Sequence, residues 1–301
     1  MSSLINTVCR SHRSRIARIG IALGFLLTTF AFAQNLNLRP PTGAVAGKAA
    51  SLGVDGSGSA TLYLMGPAGS VKRDIQLGNE ISLSAKELQA AGRYVAVVCS
   101  GDCSSVGFFV ASSKPVTLTF LVHPSRAPVA ENDAISGVAL AFDEFHNLVM
   151  KPVSLRFELS AKGVPPISRT SETHDGIAWF RSNSGRSAGP LQITASLTDD
   201  ISTRRVVQEV ASVPCNLRIK GERTPKGIVI ETDPVRDCSG NPVPDGTVVT
   251  FTAKGSGATS SVDAPVKQDV ARATILANGP VSISAASGVA MGNELRVGGK
   301  E

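Results

Sequence analysis

Asp237-Cys238-Ser239-Gly240-Asn241-Pro242-Val243-Pro244-Asp245-Gly246-Thr247-Val248-Val249-Thr250-Phe251 decides how this chain is read, because it has an earlier counterpart. Asp143, Asn147 and Phe157 recur as Asp237, Asn241 and Phe251, each 94 positions on, and Gly163 recurs as Gly257 at the same displacement. Further along, Gly189-Pro190-Leu191-Gln192-Ile193-Thr194-Ala195 recurs as Gly279-Pro280-Val281-Ser282-Ile283-Ser284-Ala285, displaced by 90. Two ordered groups of matches at nearly equal displacement point to an internal duplication, and its period fixes the size of the folding unit.

Inside that unit the apolar residues alternate. Val153, Leu155, Phe157 and Leu159 interleave with Ser154, Arg156, Glu158 and Ser160, the pattern of a strand with one buried and one wet face. Similar alternation marks Ala60–Met65, Gly92–Val98, Leu191–Leu197 and Thr247–Ala253, with turns at Asp55-Gly56, Asp175-Gly176, Asp245-Gly246 and Asn278-Gly279. Only Ser84–Ala91 reads as a helical turn. The chain is therefore expected to be all-β, and a unit near 90 residues has the size of an immunoglobulin-like sandwich. The expected order is a sandwich over 40–114, with Leu62, Leu64, Tyr94, Ala96 and Val98 as inner positions, followed by sandwiches over 115–212 and 213–301. The boundaries fall beside Ser113-Lys114-Pro115 and Ser212-Val213-Pro214, where proline restrains the preceding residue.

Upstream of the sandwiches, Arg10, Arg13, Arg15 and Arg18 precede the apolar run Ile19–Ala33, which ends in Ala31-Phe32-Ala33. This is the pattern of a secretory signal peptide over 1–33, and the run is shorter than the roughly 20 residues a membrane-spanning helix needs. The whole chain of 301 residues carries a formal charge of +6; without residues 1–33 it holds 26 basic against 24 acidic residues. The basic character thus belongs largely to the targeting segment. Lys72-Arg73 and Arg204-Arg205 are isolated pairs without aromatic interleaving, which argues against nucleic acid as a partner. Cys9 precedes the apolar run and is not placed to accept a lipid. Export leaves Cys99, Cys103, Cys215 and Cys238 in an oxidising compartment, either the periplasm or the outside of the cell. The close spacing of Cys99 and Cys103 favours a bridge between them, which leaves Cys215 for Cys238. No histidine stands at zinc-ligand spacing from these cysteines, and no metal or other cofactor is expected.

The repeated block from Asp237 to Phe251, together with Gly279–Ala285, resembles the bacterial Ig-like domains of the invasin and intimin type, the Big-1 kind. Residues 115–212 look like a diverged copy, with Asp143-Glu144-Phe145-His146-Asn147-Leu148-Val149 in the equivalent place. The resemblance covers about 115–301. It implies extracellular stalks or adhesive spacers with no catalytic residue. The chain departs from the long adhesins in having no barrel segment and no lectin-like tip. Asn241 and Gly240 suit a tight turn, Pro242 and Pro244 stiffen the edge that follows, and Phe251 anchors the core.

Candidate chemistry is thin: 18% of residues are charged and 5% aromatic, with a single tryptophan. Gly185-Arg186-Ser187-Ala188-Gly189 matches a nucleophile elbow, but Pro190 and an alternating strand follow it, and no histidine lies after the serine. His146 beside Asp143 and Glu144, His174 beside Glu172 and Asp175, and the pair Asp199-Asp200 read as solvated turns. Trp179 differs. The repeat aligns Ala178 and Phe180 with Ala273 and Ile275, which places Ile177 and Trp179, opposite Arg272 and Thr274, on the outer face as a candidate partner surface. The expected function is a non-enzymatic cell-envelope or extracellular binding and spacer protein, with a protein or envelope polysaccharide as partner. Two alternatives stand beside it. One is a hydrolytic or polysaccharide-processing factor with its site in 40–114, and the other is a soluble subunit docking on an envelope assembly through Ile177 and Trp179.

Overall fold

A computed structural model describes residues 36–298; the signal peptide assigned to 1–33 lies outside the described residues, as do 299–301. The described chain is all-β and falls into three sandwiches, each around its own apolar core.

The first sandwich is built from β1 (Asn37–Arg39), β2 (Ala50–Asp55), β3 (Gly58–Gly66), β4 (Gly69–Leu77), β5 (Glu80–Leu83), β6 (Gly92–Ser100) and β7 (Asp102–Val110). Its sheets run β1-β2-β5 and β4-β3-β6-β7. Leu62, Leu64, Tyr94, Ala96 and Val98 are all buried in its core, because alternate side chains of β3 and β6 point to one face. The Ser84–Ala91 segment is not a helix. Ser84 and Glu87 cap each other reciprocally, with Ser84 N–H and Oγ donating to Glu87 Oε2 at 2.7 and 2.8 Å, yet the chain makes only one turn before β6 resumes.

The middle sandwich contains β8 (Thr117–His123), β9 (Arg126–Pro128), β10 (Ile135–Phe142), β11 (Ser154–Ala161), β12 (Ile167–Glu172), β13 (Ile177–Ser182), β14 (Gly189–Ser196) and β15 (Ser202–Val210). The orders are β13-β10-β8 in one sheet and β12-β11-β14-β15-β9 in the other, where β9 closes the edge in parallel with β15. Phe120, Phe157 and Phe180 meet between the layers, with ring centroids 4.8 to 6.2 Å apart.

The last sandwich contains β16 (Pro214–Cys215), β17 (Ile219–Thr224), β18 (Gly227–Thr232), β19 (Arg236–Asp237), β20 (Val248–Lys254), β21 (Thr259–Lys267), β22 (Val270–Ile275), β23 (Val281–Ser287), β24 (Ala290–Met291) and β25 (Leu295–Val297). Most of β21 pairs with β20, but Val266 and Lys267 turn over to β22, so its two layers are joined through one bent strand. Phe251 is fully buried, as Phe157 is in the middle sandwich.

Cys99 is bonded to Cys103 across the β6–β7 hairpin, where the two stand directly opposite each other. Cys215 is bonded to Cys238, which ties the strand entering the last sandwich to the loop after β19. Each bridge closes a loop inside one sandwich. Reduction is expected to destabilise the last sandwich by about 2 to 4 kcal/mol, the usual effect of opening such a loop, and to spare the middle one. Hydrogen exchange with and without reductant measures this; equal loss of protection in the middle sandwich would contradict it.

Candidate functional site

The repeated Asp-x-x-x-Asn does more than turn the chain. Asp143 is 1% exposed, and its Oδ1 accepts the N–H groups of Phe145 and Asn147, while Oδ2 accepts Ser113 N–H and Asn147 Nδ2, all at 2.9 to 3.0 Å. Thus oriented, Asn147 reaches into the first sandwich: Nδ2 donates to Gln89 O at 2.8 Å, and Oδ1 accepts Ala91 N–H at 2.8 Å. The second junction repeats the arrangement. Asp237 accepts the N–H groups of Ser239, Asn241 and Ser212, and Asn241 grips Arg186 O and Ala188 N–H at 2.8 and 2.9 Å. Each asparagine matches a donor to a carbonyl and an acceptor to an N–H, so only one orientation of its amide satisfies both. These are clasps that hold each sandwich to the one before it.

The two clasps lie at opposite ends of the middle sandwich. The loop carrying Asp143 and Asn147 follows the end of β10, whereas Arg186 and Ala188 follow β13, whose last residue Ser182 pairs with the first residue of β10. The sandwiches are therefore joined end to end. Each junction has its own reinforcement. At the first, Phe145 packs against the first core, and Gly47 at φ +72° leaves room for its ring, since a Cβ there would stand 2.1 Å from Phe145 Cε2. At the second, Ser239 stands in the place of Phe145, and the Cys215–Cys238 bridge sits beside Asp237.

Burial pushes the Asp143 carboxyl up, but the Asn147 side chain and the backbone N–H groups of Ser113, Asn147 and Phe145 outweigh it and hold it below the usual carboxylate range. Asp237 is lowered in the same way, burial being overcome by the Asn241 side chain and the N–H groups of Asn241, Ser212 and Ser239. A carboxyl depressed in the folded state stabilises that state above its unfolded pKa of about 3.9. The stabilisation is lost as pH falls through the lower folded value, so both clasps hold at neutral pH and loosen only in strong acid.

The second feature is the outer face of β13-β10-β8. Leu121, Val138 and Trp179 stand in one cross-strand row, and Thr119, Leu140 and Ile177 in the next. Trp179 is 63% exposed and Leu121 59%. The last sandwich places Glu222, Val229 and Thr274 in the first of these rows, and Lys220, Glu231 and Arg272 in the second. There Arg272 Nε contacts Glu231 at 2.5 Å and Lys220 Nζ lies 3.5 Å from it, a solvated charge ladder. Two copies of one sheet thus differ on their wet face: one is laced with charge, and the other carries the row Leu121, Val138 and Trp179, apolar across all three strands, beside Leu140 and Ile177.

The remaining candidates are accounted for locally. Ser187 lies on the strand-to-strand loop that receives Asn241, between Arg186 and Ala188. His146 sits at φ +64° inside the Asp143 turn. His174 closes the hairpin into β13 by two backbone bonds to Ile177, and Asp199 pairs with Arg156 at 3.3 Å. Lys72 stands over the Tyr63 ring at 5.5 Å from its centroid. Among the described residues no three His, Cys, Asp or Glu side chains converge on a metal site, and no helix is long and apolar enough to cross a membrane. The turn role expected for Asn241, and the repeat that makes Asn147 its counterpart, leave out this reach into the preceding sandwich; the recurrence of each asparagine four residues after an aspartate is the available signal.

No protein-family model matches the chain, and no curated protein matches it in sequence. Solved structures do match its fold. The Escherichia coli adhesin FdeC superposes with a TM-score of 0.61 at 17% identity, over 88% of this chain and 96% of that one. Invasin, a bacterial integrin-binding protein, gives 0.52 at 13% identity over 87% of this chain, which spans 59% of invasin's length. The chain shares with these two proteins an architecture of Ig-like sandwiches.

Proposed function

We propose that this chain is exported by its signal peptide over 1–33 and acts, without catalysis, as an adhesion-type binding and spacer protein of the invasin-like (Big-1) kind. Its modules are taken as 40–114, 115–212 and 213–301, and its place as the cell envelope or the extracellular space. The fold shared with FdeC and invasin supports this reading, as do the two disulfides and the end-to-end joints. A protein built to hold a surface at a distance needs stiffness between domains, and the clasps supply it.

The observation that carries the binding half is the apolar face around Ile177 and Trp179, on a sheet whose equivalent in the last sandwich is charged. Clustered exposed aromatic and aliphatic side chains are where protein contacts concentrate their energy. The partner is a protein or polysaccharide of the envelope or of a surface it touches. Exchanging the face for its counterpart, Ile177→Arg with Trp179→Thr, is expected to lower retention of partners from the native envelope by about 30-fold, near 2 kcal/mol, and to leave the fold intact. Quantitative pull-down with the processed chain measures it. Unchanged retention by a folded variant would remove the face from the account.

A further inference from the structure

The two junctions share a clasp but not a lining. At the first, a cleft of about 1070 Å³ opens between the first and middle sandwiches, walled by Phe109, Ala111 and Met150, all exposed to it. Lys48, Lys114 and Lys151 stand around it against a single carboxylate, Glu144. The register that aligns β6 and β7 with β14 and β15 gives each of these positions a counterpart at the second junction. Gly92 pairs Val110 as Gly189 pairs Glu209, so Phe109 corresponds to Gln208. The parallel contacts of Val45 with Ala111 and of Pro128 with Val210 place Lys48 opposite Glu131. The 94-residue displacement sets Met150 and Lys151 against Pro244 and Asp245, and the Ser113 and Ser212 bonds to the clasp aspartates set Lys114 against Val213. Three lysines thus replace two acids and a valine, and two large apolar side chains replace a glutamine and a proline. The joint itself requires none of these differences, since the second junction has the same clasp without them.

Among the described residues β7 is the last strand of its sheet, and just past its end the Ala44–Ala46 segment closes the cleft on that side. Ala111 turns both its N–H and its C=O away from β6, toward Ala44 O and Ala46 N–H. A cleft with an apolar wall and a cationic rim suits an extended acidic chain, which supplies apolar side chains and carboxylates at once.

We propose that the cleft between the first and middle sandwiches binds an extended acidic peptide segment carrying apolar side chains. The segment lies in the cleft with an aromatic or aliphatic side chain against Phe109 and Met150 and its carboxylates toward Lys48, Lys114 and Lys151. This site is separate from the Trp179 face and goes beyond the spacer reading.

The test is selection of a random dodecapeptide display library on the processed full chain. Enrichment of peptides that combine Asp or Glu with Leu, Phe or Trp is expected. The best of them, made synthetically and labelled, should bind at least 10-fold more weakly to the Lys48→Glu, Lys114→Val, Lys151→Asp variant, which carries the second junction's residues. Phe109→Gln alone should weaken it as well, and raising the salt should weaken binding to the wild type. Because all four substitutions are at exposed positions, the circular dichroism and melting of both variants should match the wild type. No enrichment, enrichment that survives the triple substitution, or displacement of the peptide by phosphatidylglycerol vesicles or dextran sulfate as effectively as by itself would each overturn the proposal.

Discussion

Asp237→Ala is expected to destabilise the last sandwich by about 3 kcal/mol or more and to free it from the middle one. The carboxylate accepts three backbone N–H groups, from Ser239, Asn241 and Ser212, and holds the Asn241 amide in place. Truncation leaves those donors without their acceptor in a site that is 4% exposed, and an unmet buried donor costs about 1 to 3 kcal/mol. Losing the brace also releases Asn241 from Arg186 and Ala188, so one substitution reports on a fold and a joint together. Chemical denaturation followed by hydrogen exchange separates the two. Acid should act in the same direction: as pH falls below about 4 toward the depressed carboxyl values, both joints should loosen before the cores melt. A joint that loosened as pH rose from 5 to 7 would have the wrong sign.

Phe157→Ala should cost the middle sandwich about 3 to 5 kcal/mol, the range for removing a buried phenylalanine. Phe157 is fully buried, with Phe180 at 4.8 Å and Phe120 at 5.8 Å between centroids, and rings so placed cannot close over the gap without leaving their own contacts. The cost should be confined to that sandwich, because its core shares no residue with the other two. Denaturation monitored by Trp179 fluorescence, the single tryptophan, follows it. A loss below 1 kcal/mol would mean that the two sheets do not pack around these rings.

Much of this architecture could be read from the residues alone, and the reason is periodicity. Alternation on β11 places Leu155, Phe157 and Leu159 inward whatever the fold, and the internal repeat turns Ile177 and Trp179 toward the side that Arg272 and Thr274 occupy. What could not be read was non-local. Asn147 reaches a carbonyl 58 residues earlier and Asn241 one 55 residues earlier, and the groups they hold are main-chain atoms that carry no side-chain signature. The loops at Gln89–Ala91 and Arg186–Ala188 both receive the clasp through backbone atoms. The single helical turn expected over Ser84–Ala91 is local in the same way as the alternation: Ser84 and Glu87 cap each other, and the chain makes one turn before β6 begins.

The apolar face and the joints belong to one account: stiffness sets where the face is held, and the face sets what is held. If the clasps make the three sandwiches a single body, then Asn147→Ala with Asn241→Ala should abolish that behaviour and leave each sandwich folded. Small-angle X-ray scattering at neutral pH on the processed chain is the most direct measurement. One elongated conformation should fit the wild-type curve, whereas the double variant should require a bent and extended mixture. A wild-type curve that itself demands such a mixture, or a double variant whose curve superimposes on the wild type, would contradict it.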